Sequence, residues 1–118
     1  MKSDKVYLDH MLECIQNIEA YTKNGKMEFM DSTLVQDAVI RNLEVIGEAA
    51  KRISNDLKIT YDALPWREMA GLRDVLIHDY FGVDLKIVWN VIEKELPTIK
   101  SDLMRILGDY YPPIDPPV

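Results

Sequence analysis

Arg73 and His78 bracket four residues within RDVLIHDYF, residues 73–81, where Asp74, Asp79 and Tyr80 also interrupt an otherwise apolar run. An arginine fork can grip two phosphate oxygens and stabilise negative charge building on phosphorus. An imidazole, with a reference pKa of about 6.5, can take or give a proton near neutral pH. Those two functions suffice for metal-free cleavage of RNA by its own ribose 2′-hydroxyl. That reaction needs a base for the hydroxyl, an acid for the leaving oxygen and a cation for the phosphorane. The segment supplies one histidine per chain, and a two-fold dimer would bring the second.

Other chemistries find little support. His10 and His78 are far apart, and neither a His-Glu-x-x-His pattern nor a paired-cysteine spacing occurs, so no metal site is expected. No glycine-rich loop suggests a bound dinucleotide or nucleoside triphosphate, and no cofactor is implied. Asp9-His10 reads as an exposed helix pair. Arg73 also has a purely structural reading. It shares a helix face with Trp66, Ala70 and Ile77, where a guanidinium paired to Asp74 or another carboxylate would brace a core. Spacing alone leaves both readings open. On a continuous helix five residues separate Arg73 and His78 by about 140°, so their convergence would require the helix to end near Ile77.

The elements that must position these groups are helices. Glycines are few, and apolar residues recur at steps of three and four. Ser3 or Asp4 can cap a first helix over 4–22, with Tyr7, Met11, Cys14, Ile18 and Tyr21 in one stripe. Asn24-Gly25 breaks it, and Asp31 or Ser32 can cap a second over 32–56. There Val39, Leu43, Ile46, Ala50, Ile53 and Leu57 form a seam suited to a bundle or to a dimer partner. Small residues at Gly47, Ala49 and Ala50 would admit a close neighbour. Pro65 suits the first position of a third helix over 65–77. Asp84 can cap a fourth, and Pro97 should kink or restart it before Ile99, Leu103 and Ile106. Residues 1–110 therefore read as one all-α domain of four to five helices, and 111–118 as a Pro-rich tail.

The 118 residues suit a single domain with its own core, being 47% hydrophobic and 29% charged. The lone Cys14 cannot pair within the chain, which fits a reducing, cytoplasmic setting. No run approaches the roughly 18 apolar residues of a membrane span, and the N-terminus has no signal-peptide pattern. A net charge of −6 is unlike a general nucleic-acid binder. RNA would therefore need a local basic cleft, to which Lys51, Arg52 and Arg67 are candidate contributors.

Two longer segments carry a resemblance. LVQDAVIRNLEVIGEAAKRIS, residues 34–54, and LPWREMAGLRDVLIHDYFGVDLKIVW, residues 64–89, resemble HEPN-domain proteins of the HepT type, the toxins of HepT–MntA toxin–antitoxin systems. The second contains an arginine-x4-histidine-x-tyrosine motif at Arg73, His78 and Tyr80. The resemblance implies a HEPN-type helical bundle that forms a homodimer, or a higher hetero-oligomer, pairing two motifs across one cleft. It implies a metal-independent ribonuclease toxin with Arg73 and His78 catalytic and Asp74, at a position often asparagine, in support. It further implies a partner, an MntA-type nucleotidyltransferase antitoxin that transfers AMP to the motif tyrosine, here Tyr80. Glu44, Gly47 and Glu48 read as packing and interface residues. A different class of function, a non-catalytic helical partner of the nucleotidyltransferase, is consistent with Asp74 and the acidic net charge.

Overall fold

The computed structural model describes residues 4–78 and 83–110, with the side chains of all of these except 73–75, 77, 78 and 110. The described residues contain helix and turn and no strand. Helix α1 spans Asp4–Tyr21, α2 Lys26–Asp31, α3 Thr33–Arg52, α4 Asn55–Thr60, α5 Trp66–His78, α6 Leu85–Asn90 and α7 Leu96–Tyr110. A π-helical turn, Val91–Glu95, joins α6 to α7 without a break. Four long arms result: α1, α3, α5 and the α6–α7 arm.

Two contacts fix α1 antiparallel to α3. At one end Asp4 accepts from the Ser54 amide at 2.9 Å and from its hydroxyl at 2.6 Å. Near the other, Asn17 Nδ2 donates to Asn42 Oδ1 at 3.2 Å. After α4 the chain reverses, and α5 packs back along α3. Pro65 accepts the first bond of α5 from the Met69 amide, and Trp66 Nε1 donates to the Tyr61 carbonyl. The last arm returns along α1, joined to it by Lys100 and Glu19 at 2.9 Å.

The core is the place where these arms meet. Leu8, Met11, Ile15, Ile18, Phe29, Val39, Leu103 and Ile106 are wholly buried. So is the α3 seam: Val39, Leu43, Ile46, Ala50, Ile53 and Leu57 are all at most 4% exposed. It packs between α1 and α5 of its own chain and is therefore not available to a second copy. The sequence left a bundle and a dimer open for this seam; the fold uses it for the bundle.

Three boundaries differ from the sequence reading, each for a local reason. The second long helix ends at Arg52 rather than 56, because Ser54 begins a new helix. Its hydroxyl accepts from the Leu57 amide at 3.2 Å while Asp4 holds it from outside. Asp4 is thus engaged in a tertiary contact. Between the break at Asn24-Gly25 and the cap at Ser32, where the sequence reading placed no element, lies the short helix α2. Gly25 takes φ +95°, a conformation that favours glycine, and lets the chain reverse into α2. Gln36 then anchors α2 by donating to the Phe29 and Met30 carbonyls at 2.9 and 3.0 Å.

The third difference is at Pro97. A proline lacks the N–H that would bond back to Glu93, and its ring would crowd that carbonyl in a regular helix. The arm loses regular α geometry after Asn90 and regains it at Leu96, beside Pro97. It widens into the π turn, where the Leu96 amide reaches back to the Val91 carbonyl. The caps at Ser32 and Asp84 are as expected, accepting from the Val35 and Lys86 amides at 3.2 and 2.9 Å. Ser3 and the 111–118 tail lie outside the described residues.

Candidate functional site at the end of α5

Helix α5 runs unbroken from Trp66 to His78, so Arg73 and Asp74 lie within it and His78 is its last residue. Its inward line is Trp66, Met69 and Leu76, each at most 7% exposed, with Leu72 half-buried beside them. That line is displaced from the Trp66, Ala70, Arg73, Ile77 face that spacing suggested, since Ala70 is only half-buried. Because the helix stays regular through His78, the backbones of Arg73 and His78 are about 140° apart around it and about 7.5 Å apart along it. Tyr80 and Asp79 lie outside the described residues, as do the side chains of Arg73, Asp74 and His78.

The proposed basic rim is not assembled around this helix end. Lys51 and Arg52 close α3 at the end where Asp4 meets Ser54, and Arg67 is in the first turn of α5. From Trp66 to His78 is about 18 Å along the axis. Arg52 is held by Glu48 through bonds of 3.0 and 3.1 Å, and this pairing with the nearby Tyr7 pushes its pKa up. Glu44 faces Arg41 at 3.5 Å. Asp9 pairs with Lys5 at 2.7 Å beside an exposed His10. These are surface pairs of modest energetic weight.

Alongside the motif helix runs a feature that the sequence did not reveal. Between α5 and the α6–α7 arm lies an open cleft of about 330 Å³, floored by Leu43 and Ile46 of α3. Pro65, Met69 and Leu72 form one wall, and Val91, Leu96 and Ile99 the other, with Glu68, Asn90 and Glu95 at the rim. Val91 and Glu95, at the two ends of the π turn, are among its lining residues. Lone Cys14 is buried in α1, where burial pushes its thiol pKa up, Glu13 adds to the effect and Arg41 opposes it. Among the described residues no three His, Cys, Asp or Glu side chains gather as a metal-ligand set, and no helix is long and apolar enough to cross a membrane.

Comparison with known proteins agrees with this architecture. A Shewanella oneidensis HEPN toxin, solved tri-AMPylated and in complex with an MNT antitoxin, superposes with a TM-score of 0.67 at 22% identity, covering 92% of this chain and 99% of that one. A Thermococcus cleftensis protein named probable ribonuclease HepT is 43% identical over 106 residues, 89% of this chain and 96% of that one. A Methanocaldococcus jannaschii protein named gamma-glutamylcyclotransferase and putative RNase is 45% identical over 109 residues. Those residues are 92% of this chain, which spans about half, 49%, of that longer relative. The family model described as Ribonuclease HepT-like matches residues 11–106, a stretch that includes all of α5, and the chain therefore belongs to the HepT-like family.

Proposed function

We propose that this protein is an endoribonuclease toxin of a HEPN/MNT toxin–antitoxin pair, acting without a metal through Arg73 and His78. The observation that carries the reading is the family match over residues 11–106, within which both residues lie on one helix at the edge of a bundle. The relatives' names as ribonucleases point to the same chemistry.

In this mechanism an imidazole takes the proton of a ribose 2′-hydroxyl, and the oxygen attacks the adjacent phosphorus. The bond from phosphorus to the 5′ oxygen breaks, and that oxygen leaves with a proton from a second imidazole. The product strand ends in a 2′,3′-cyclic phosphate. Arg73 neutralises the charge on the pentacoordinate phosphorus through its fork. Asp74 supports by pairing with that guanidinium. One chain supplies a single motif histidine, and the reading therefore includes a homodimer in which His78 of a second copy completes the site.

Control belongs to the same proposal. The structural relative is described as tri-AMPylated and in complex with an MNT antitoxin. By analogy a nucleotidyltransferase partner transfers AMP to Tyr80, two residues beyond His78, with pyrophosphate leaving from ATP. A phosphate added two residues from His78 would oppose the approach of an RNA phosphate to that histidine. Two like charges about 4 Å apart repel by about 4 kcal/mol at an effective dielectric of 20. A cytoplasmic setting, where Cys14 remains reduced, suits both partners.

The net charge of −6 favours the second reading, a non-catalytic subunit that assists its nucleotidyltransferase. Digestion of total RNA by the purified chain separates the two, because only the toxin cuts RNA in the absence of its partner.

A further inference from the structure

The cleft beside α5 combines an apolar interior with a rim charged in one sign only. On its α5 side Pro65, Glu68, Met69 and Leu72 recur at steps of three and four, so they present one strip to it. That strip is about 10 Å long, and the space it faces is about 330 Å³. The opposite arm and the α3 floor contribute apolar side chains, apart from Asn90 and Glu95. Clefts of this size and character suit small molecules better than whole helices.

Glu68 and Glu95 belong to opposite walls, and both are exposed. Among the described residues neither has an ion partner, whereas Glu19, Glu44 and Glu48 are paired with Lys100, Arg41 and Arg52. No lysine or arginine is among the described lining residues. Arg67, next to Glu68 in sequence, is turned about 100° from it around α5. A cation is therefore what this rim lacks.

We propose that the cleft is a binding site for a small apolar amine, an aliphatic or aromatic body carrying one ammonium group. The body lies along Met69 and Leu72, where taking apolar surface out of water favours binding. The ammonium stays at the carboxylate rim, partly in water, and so avoids the cost of full burial. The carboxamide oxygen of Asn90 offers it a further acceptor. A carboxylic acid with the same body would meet two like charges there, and an alcohol would gain nothing from them.

Calorimetric titration of the full chain with octylamine, octanol and octanoate, each below the concentration at which it aggregates, tests this. The three probes share a body and differ in the head group. Octylamine is expected to bind one-to-one with a dissociation constant below about 1 mM, at least about tenfold tighter than octanol, with octanoate weakest. Glu68→Gln and Glu95→Gln should each weaken octylamine at least about threefold and leave octanol unchanged, as expected for exposed ion pairs. Added salt should weaken the amine alone. Leu72→Trp fills the cleft and should weaken all three probes together. If that variant fails to fold, the two exposed glutamine substitutions decide. Octylamine that shows no saturable one-to-one binding below about 1 mM, or that binds folded Leu72→Trp as well as the wild type, overturns the site. Equal affinity for amine and alcohol, or an amine indifferent to both glutamine substitutions, overturns the ligand class.

Discussion

Arg73 and His78 stand five residues apart on one unbroken helix, with backbones about 140° apart around its axis. No bend between them brings the pair together, since α5 remains regular to its last residue. A reaction that needs both groups at one phosphate must therefore draw on side-chain reach, on the chain beyond His78, or on a second copy.

The arginine is expected to be irreplaceable by lysine. Arg73→Lys retains the charge and loses the planar fork, so RNA cleavage should fall by at least about tenfold while the fold persists. Single-turnover rates on a short RNA check this. Full activity in the lysine variant would mean that Arg73 acts as a point charge or only braces the bundle.

Modification should be confined to the motif tyrosine. Co-expression with an MNT-type nucleotidyltransferase is expected to yield a folded, inactive protein whose intact mass rises by one or more AMP units, and Tyr80→Phe should remain unmodified. Peptide mapping locates the adduct. AMP found on another residue, or an adduct that leaves cleavage at full rate, would remove Tyr80 from this role.

Much of the scaffold was legible from sequence because helix capping and three-four periodicity are local. Ser32 and Asp84 cap the helices expected of them, and Pro65 opens α5 to within one residue. The α3 seam could be seen, but its partner could not, because the same pattern serves a neighbouring helix of its own chain or of another. Of the alternative caps Ser3 and Asp4, Asp4 is the first residue of α1 and engages Ser54, a contact fifty residues away that no local pattern signals. The cleft was invisible for a related reason, as its walls come from α3, α5 and α7. The candidate site is legible as a motif, while its charges are not: Lys51 and Arg52 look suitable in sequence and lie at the far end of the bundle.

Phe29 should be the residue on which the short helices depend. It is fully buried, and its ring lies 5.4 Å from that of Trp89, joining α2 to α6. Phe29→Ala is expected to cost about 3–5 kcal/mol in urea unfolding, the range for a buried aromatic. A loss below about 1 kcal/mol would show that α2 does not depend on this contact.

Cys14 should be a quiet thiol. Burial pushes its pKa up, so near about pH 8 less of it is the reactive thiolate than in an unfolded chain. Labelling by a thiol reagent is expected to be slow in the folded protein and fast in denaturant. The rate should rise with pH only above the range of an ordinary cysteine. Fast labelling of folded protein at neutral pH would contradict the packing of α1.

The central claim is cleavage of RNA by Arg73 and His78 without a metal, and one measurement addresses it most directly. A defined RNA is incubated in excess EDTA with the purified chain and with His78→Ala, and product ends are read by mass spectrometry. The account predicts 2′,3′-cyclic phosphate ends, or the 3′-phosphates derived from them, at a rate that EDTA leaves intact. His78→Ala should lower that rate by roughly 10²–10⁴-fold, the contribution typical of a general acid–base. Cleavage that EDTA abolishes, or that proceeds at full rate in His78→Ala, would contradict it.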